Sequence, residues 1–122
     1  MKKAEMEHYK QVLEQLRARL TGDVSLLADE ALRAKEASGN QSNMPMHMAD
    51  VGSENFEQEF TLTLLQKEED MLGQIDSALR RIAMGTFGSC EECSVDIMRE
   101  RLRYLPYTKY CVDCARKLEK QS

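Results

Sequence analysis

The chain of 122 residues contains no Trp, only 3 Phe and 4 Tyr, and no cysteine before residue 90. So few aromatics, with 42% hydrophobic and 31% charged residues, favour long amphipathic helices over a thick globular core. No apolar run approaches the roughly 20 residues that span a bilayer, and the start, Met1-Lys2-Lys3-Ala4-Glu5, leads into charge. Neither a signal peptide nor a membrane anchor is expected, which points to a cytoplasmic protein. An excess of basic residues is also missing: 17 Lys or Arg face 21 Asp or Glu, a net charge of −4, which works against DNA as the main partner. The length leaves room for one ordinary domain, or for a small folded module plus an extended element.

What is present is periodic. Met6, Tyr9, Leu13, Leu16, Leu20, Val24, Leu27, Ala31 and Ala34 are spaced by three and four residues, one face of a long helix with a nearly heptad seam. The consecutive fours at Leu16, Leu20 and Val24 resemble a stutter, and Gly22 beside them lowers helix propensity by about 1 kcal/mol; the helix is expected to continue through both. Residues 38–53 lose the period and gather Gly, Asn, Ser and Pro, which reads as a loop. Ser53 is the expected N-cap of a second helix, with Glu54, Glu57 and Glu59 in its opening turns. Its apolar run is Phe56, Phe60, Leu64, Leu65, Met71, Leu72, Ile75, Leu79 and Ile82. Arg80 and Arg81 fall in its last turn, and Gly85 is the expected C′ residue.

The fold class expected is mainly α: a long antiparallel helical hairpin, or coiled coil, over residues 1–86, followed by a small four-cysteine zinc-finger module over 87–122. Helices of roughly 35 and 30 residues extend on the order of 45 to 55 Å. His8 reads as an exposed polar residue of the first turns.

The most specific signal is the cysteine spacing. Cys90-Glu91-Glu92-Cys93 and Cys111-Val112-Asp113-Cys114 are two C-x-x-C pairs separated by 17 residues, within the window of a four-cysteine zinc site. Tetrahedral Zn2+ takes four thiolates, and a C-x-x-C turn presents two on one knuckle. Such a closed set has no open coordination position, so one structural Zn2+ per chain, with no catalysis, is expected. A redox role is the competing reading; Glu91 and Glu92 disfavour the thiolate it needs. Residues 90–122 carry a net charge of +1 and no helix with a dense basic face for the major groove. The finger's expected task is to complete a small core, with Ile97, Leu102, Leu105, Tyr107 and Leu118 packed around it.

The helical hairpin followed by Gly85-Thr86-Phe87-Gly88-Ser89-Cys90-Glu91-Glu92-Cys93, a Leu-Pro stretch and Cys111-Val112-Asp113-Cys114 resembles the bacterial DksA/TraR family, most strongly from about Phe56 to Lys117. The resemblance implies a regulator of transcription that binds RNA polymerase without direct DNA binding, inserts its coiled coil into the secondary channel and places the tip near the active centre. Polymerase-acting members bear a tip motif D-x-x-D-x-A, where this chain reads His47-Met48-Ala49-Asp50-Val51-Gly52. Placed by distance from Cys90, Asp50 matches the second aspartate, His47 replaces the first, and Gly52 replaces the alanine and loosens the backbone. The basic residues that family members use for guanosine tetraphosphate correspond to Gln74, Leu105 and Ala115, so that nucleotide is not an expected ligand. A monomer is expected, with a dimer through the seam as the alternative. An interaction or stress protein that keeps the fold and has lost polymerase activity is the alternative function. The loop's Met44, Met46, His47 and Met48 are soft donors that could hold Cu(I), but Met is also an adaptable contact residue, and a partner-contacting tip is the expected reading over copper.

Overall fold

The computed structural model describes residues 1–40 and 48–121. Four helices follow in order: α1 (Lys3–Asn40), α2 (Met48–Met84), α3 (Arg99–Tyr104) and α4 (Val112–Gln121). Among the described residues none of these helices is long and apolar enough to cross a membrane. α1 runs unbroken through Gly22, as its seam predicts: Tyr9, Leu13, Leu20 and Ala31 are buried, and Met6, Leu16, Val24 and Leu27 are half-buried.

Both long helices extend further than the sequence composition predicts, and of the expected loop, residues 41–47 lie outside the described residues. Helix extends to Asn40 and resumes at Met48, so Ser53 lies inside α2 and is not its N-cap. The seam of α2 differs at its start. Leu64, Leu65, Met71, Leu72, Ile75, Leu79 and Ile82 are buried or half-buried as expected, and on that packed side Thr61, Leu65, Glu68, Leu72, Ile75, Leu79 and Ile82, in alternating steps of four and three, form a heptad stripe. Phe56 and Phe60, expected on that stripe, are 70% and 58% exposed. Hydrophobic type misled the reading there: continuing the heptad back from Leu72 selects Glu68 and Thr61, and Phe60 falls one residue, about 100°, off the stripe. Glu68 Oε2 is buried with no hydrogen-bond partner among the described residues.

The residues form two compact units. The first comprises Met1–Ala18 and Leu72–Ser122, the second Arg19–Met71. In the first, residue numbers rise along α1 as they fall along α2. Arg17 Nε bonds Asp76 Oδ1 at 2.6 Å, and a cleft lined by Met1, Lys3, Met6, Ile82 and Gly85 closes the other end, so the helices run antiparallel. Its core is Tyr9, Leu13, Ile75, Ala78, Phe87, Ile97 and Leu102, with the Tyr9 and Phe87 ring centroids 5.4 Å apart. Ile97 and Leu102 are buried as expected, while Leu105, Tyr107 and Leu118 are half-buried. In the second unit Leu20 and Ala31 are the buried apolar residues among those described.

Gly85 ends α2 as its position predicts. With φ at +78° it lets Thr86 N–H donate to the Arg81 carbonyl at 2.9 Å and its own N–H donate to the Ile82 carbonyl at 3.2 Å. These are the two bonds of a Schellman cap, which turns the chain out of the helix and into the first cysteine knuckle.

Candidate metal centre

The chain enters the centre through Gly88, whose φ of +92° is open to glycine without strain. A short ribbon follows. Ile97 N–H donates to the Gly88 carbonyl, Cys90 N–H to the Val95 carbonyl, and Ser94 N–H back to the Cys90 carbonyl, all at 2.8 to 2.9 Å, with an antiparallel bridge between Ser89 and Asp96. Closing this knuckle puts Ser94 at φ +64°, a left-handed conformation unusual for a residue with a Cβ. The second pair is built on a helix start. Cys111 precedes α4, its carbonyl accepts from Ala115 N–H at 2.9 Å, and Cys114 lies in the first turn.

The two knuckles meet. The sulfurs of Cys90, Cys93, Cys111 and Cys114 all lie within 4.8 Å of one another, and Cys93 Sγ is 3.7 Å from Cys111 Sγ. Four sulfurs about 2.3 Å from a tetrahedral zinc lie about 3.8 Å apart, so the cluster fits that ion. Cys90 and Cys114 are buried, Cys111 is half-buried and Cys93 is exposed.

Thiol electrostatics point the same way. Burial works to raise the Cys90 thiol, but backbone hydrogen bonds from Cys111, Cys93 and Glu92, with the Cys93 side chain, bring it down to about 6. The Cys111 side chain, then burial, then the Cys90 and Cys93 side chains push Cys114 up to about 12. Cys93 is also raised, although its backbone bond with Val95 opposes the change. One thiolate forms readily and the crowded neighbours resist a second charge. A divalent cation removes that conflict, since it stabilises every thiolate around it.

The segment between the knuckles is anchored by Arg81, which is only 7% exposed. Its Nη1 donates to Ser77 Oγ at 2.8 Å and its Nη2 to the Tyr107 and Thr108 carbonyls at 3.4 and 3.3 Å. Glu91 Oε1 stands 3.8 Å away. Burial lowers the Arg81 pKa, and the Glu91 carboxylate opposes that change. Sequence reasoning treated Arg81 only as a basic residue of a last helical turn. Its spacing was informative: Arg81 follows Ala78 by three, which places it on the packed side of α2. Glu5 was overlooked too, and its Oε2 meets Arg99 Nε at 2.9 Å.

The other anticipated residues are less informative. Asp50 and Gly52 fall in the first turns of α2, while His47, Met44 and Met46 lie outside the described residues. His8 is exposed with its ring edge-on to Tyr9. Gln74 is exposed, and Leu105 and Ala115 are half-buried.

Paired long helices with a clustered four-cysteine site define a helical zinc-finger protein. Residues 85–120 match the prokaryotic dksA/traR C4-type zinc finger. The RNA polymerase-binding transcription factor DksA of Salmonella typhimurium is 30% identical over 120 residues, covering 93% of this chain and 71% of that protein. General stress protein 16O of Bacillus subtilis is 26% identical over 117 residues, covering 96% and 70%. The structure of transcription factor DksA2 from Pseudomonas aeruginosa superposes with a TM-score of 0.78 at 26% identity, covering 98% of this chain and 86% of that one. The chain belongs to the DksA/TraR family.

Proposed function

We propose that this chain is a cytoplasmic, non-enzymatic regulator of transcription that binds RNA polymerase through the secondary channel. Its helical hairpin is the probe, and the tip segment that carries Asp50 works near the active centre. The observation that carries this reading is similarity to the Salmonella DksA over 93% of the chain, so that the helices and not only the finger are shared. Charge supports a protein partner over DNA: Arg19–Met71 holds 4 Lys or Arg against 11 Asp or Glu, a net of −7 that phosphate backbones repel.

Within this reading Cys90, Cys93, Cys111 and Cys114 all ligate one structural Zn2+, and the protein acts as a monomer. Asp50 is the effector carboxylate, flanked by His47 and Gly52. Guanosine tetraphosphate is not a ligand, since Gln74, Leu105 and Ala115 stand where the family's basic contacts would be. A second reading has an observation of its own, the similarity to General stress protein 16O. It keeps the fold and gives up the action on polymerase.

Competition binding to purified bacterial RNA polymerase, with transcription from a promoter whose open complex is short-lived, separates the two. The first reading expects low-micromolar binding and altered initiation; no binding at that concentration leaves the second. Asp50→Asn is expected to abolish the effect on initiation with affinity largely kept. An unchanged effect would remove Asp50 from the effector role.

A further inference from the structure

Four consecutive backbone carbonyls lead into the second cysteine pair, and each is held by a donor from elsewhere in the first unit. The Tyr107 and Thr108 carbonyls accept from Arg81 Nη2. The Lys109 carbonyl accepts from Glu91 N–H at 2.9 Å, inside the first knuckle. The Tyr110 carbonyl accepts from Arg101 Nε at 3.0 Å, and Arg101 Nη2 reaches Thr108 Oγ1 at 3.5 Å. So α2, the first knuckle and α3 all grip one short loop. That loop carries no cysteine, yet its last residue adjoins Cys111.

A loop at a surface normally leaves such carbonyls to water. Here two guanidinium groups are committed to them, and one of these is almost fully buried, where its charge needs acceptors on every side. From this geometry we infer that Arg81 and Arg101 are positioning residues for the metal centre: they fix the 107–110 carbonyls and so hold Cys111 and Cys114 where Cys90 and Cys93 can share an ion with them. The inference rests on the four-cysteine zinc reading. Neither arginine touches the metal. Each narrows the range of loop conformations that zinc would otherwise have to select, which lowers the cost of ordering the site on binding. Arg81 adds a second effect, because its bonds to the Tyr107 and Thr108 carbonyls tie the loop to the end of α2, and the Ser77 hydroxyl one turn back on the same helix holds its guanidinium in place.

The test is zinc transfer from the full-length, zinc-loaded protein to the chelator 4-(2-pyridylazo)resorcinol, followed by absorbance. Wild-type protein must first release about one zinc per chain, which tests the zinc reading separately. Arg81→Met and Arg101→Met are each expected to release zinc about tenfold faster or more. Arg103→Met, an exposed residue of the same short helix as Arg101, is expected to match wild type. Because both arginines hold one loop, the double variant is expected to fall short of the product of the single effects. Arg81→Lys keeps the charge and loses the fork, so most of the defect is expected to remain.

Release within twofold of wild type in both Met variants, at one zinc per chain, would overturn the inference. So would full rescue by Arg81→Lys, which would make charge, and not the held carbonyls, the cause. A thermal midpoint lowered equally with and without zinc, at unchanged release, would assign the arginines to general stability instead. If Arg81→Met does not fold, Arg101→Met decides the outcome against Arg103→Met.

Discussion

α1 and α2 contribute to both compact units, but the same pair of helices is secured differently in each. In the first unit Leu13, Ile75, Ala78 and Leu102 are completely buried, two aromatic rings pack, a buried arginine is anchored and four sulfurs converge. In the second unit the stripe of α2 includes Thr61 and Glu68, and Leu26, Leu32, Phe56, Phe60 and Leu62 are exposed. Charge divides along the same line, with 13 Lys or Arg against 10 Asp or Glu in the first unit, a net of +3, and a net of −7 in the second. The first unit is built for a single packed arrangement. The second buries fewer apolar side chains, Leu20 and Ala31 among those described, so its exposed ones add little to the fold.

Metal removal should produce the largest contrast. A structural zinc contributes on the order of 10 kcal/mol in small finger modules, more than a domain of this size has to spare. Chelation is expected to abolish the ordered structure of residues 87–121 and to lower the first unit's thermal midpoint, read by near-ultraviolet dichroism of its tyrosines. An unchanged spectrum after complete zinc loss would show that the helices alone organise the finger.

Truncations divide the units next. Leu13→Ala and Ile75→Ala should each destabilise by about 2 to 5 kcal/mol, since both side chains are fully enclosed. Phe60→Ala removes a larger side chain, yet its exposure predicts a change within about 0.5 kcal/mol in urea unfolding. A Phe60→Ala loss as large as that of Leu13→Ala would break the comparison and restore Phe60 to the seam.

The pH dependence of zinc binding is a smaller effect with a definite sign. In the metal-free site Cys90 titrates at about 6 and Cys114 at about 12. At neutral pH zinc therefore finds Cys90 ionised and must displace the proton of Cys114. Below about 6 Cys90 holds a proton as well, so apparent affinity should fall more steeply there, by one extra proton, or about tenfold more per pH unit. Competition titrations between pH 5 and 8 measure the slope, and a constant slope through pH 6 would show that Cys90 carries no depressed thiol.

The sequence made the first unit more legible than the second for a physical reason. Apolar spacing in α1 identified every buried position among the described side chains because its seam is apolar throughout, and Gly85 and the paired C-x-x-C knuckles each admit few conformations. In α2 the apolar run and the packed stripe diverge at Phe60. Choosing by hydrophobicity selects the phenylalanines, whereas the register carried from Leu72 and Ile75 selects Glu68 and Thr61. Residue type outweighed period, and the period was the better guide. Ser53 misled similarly, because a good capping residue remains compatible with a helix that starts earlier, at Met48. The arginine contacts to 107–110 were not legible, since Arg81 lies 26 and 27 positions from the carbonyls it holds and Arg101 lies 9 from the Tyr110 carbonyl, and backbone carbonyls leave no mark on side-chain pattern.

The smallest expected effect tests how tightly the knuckle itself is specified. Ser94 holds φ at +64°, a conformation that costs an L-residue roughly 1 to 2 kcal/mol and glycine little. Its N–H bond to the Cys90 carbonyl and the neighbouring Cys90 bond to Val95 require that turn, and both use backbone groups that Ser94→Gly retains. Glycine gives back part of the gain by enlarging the unfolded chain's freedom. The net expectation is a stabilisation of up to about 1 kcal/mol, confined to the first unit and visible as slightly slower zinc release. A destabilised Ser94→Gly would mean that the serine side chain itself supports the knuckle. No change in release would mean that the pull of four sulfurs on one ion already exceeds the backbone strain of the turn that presents them.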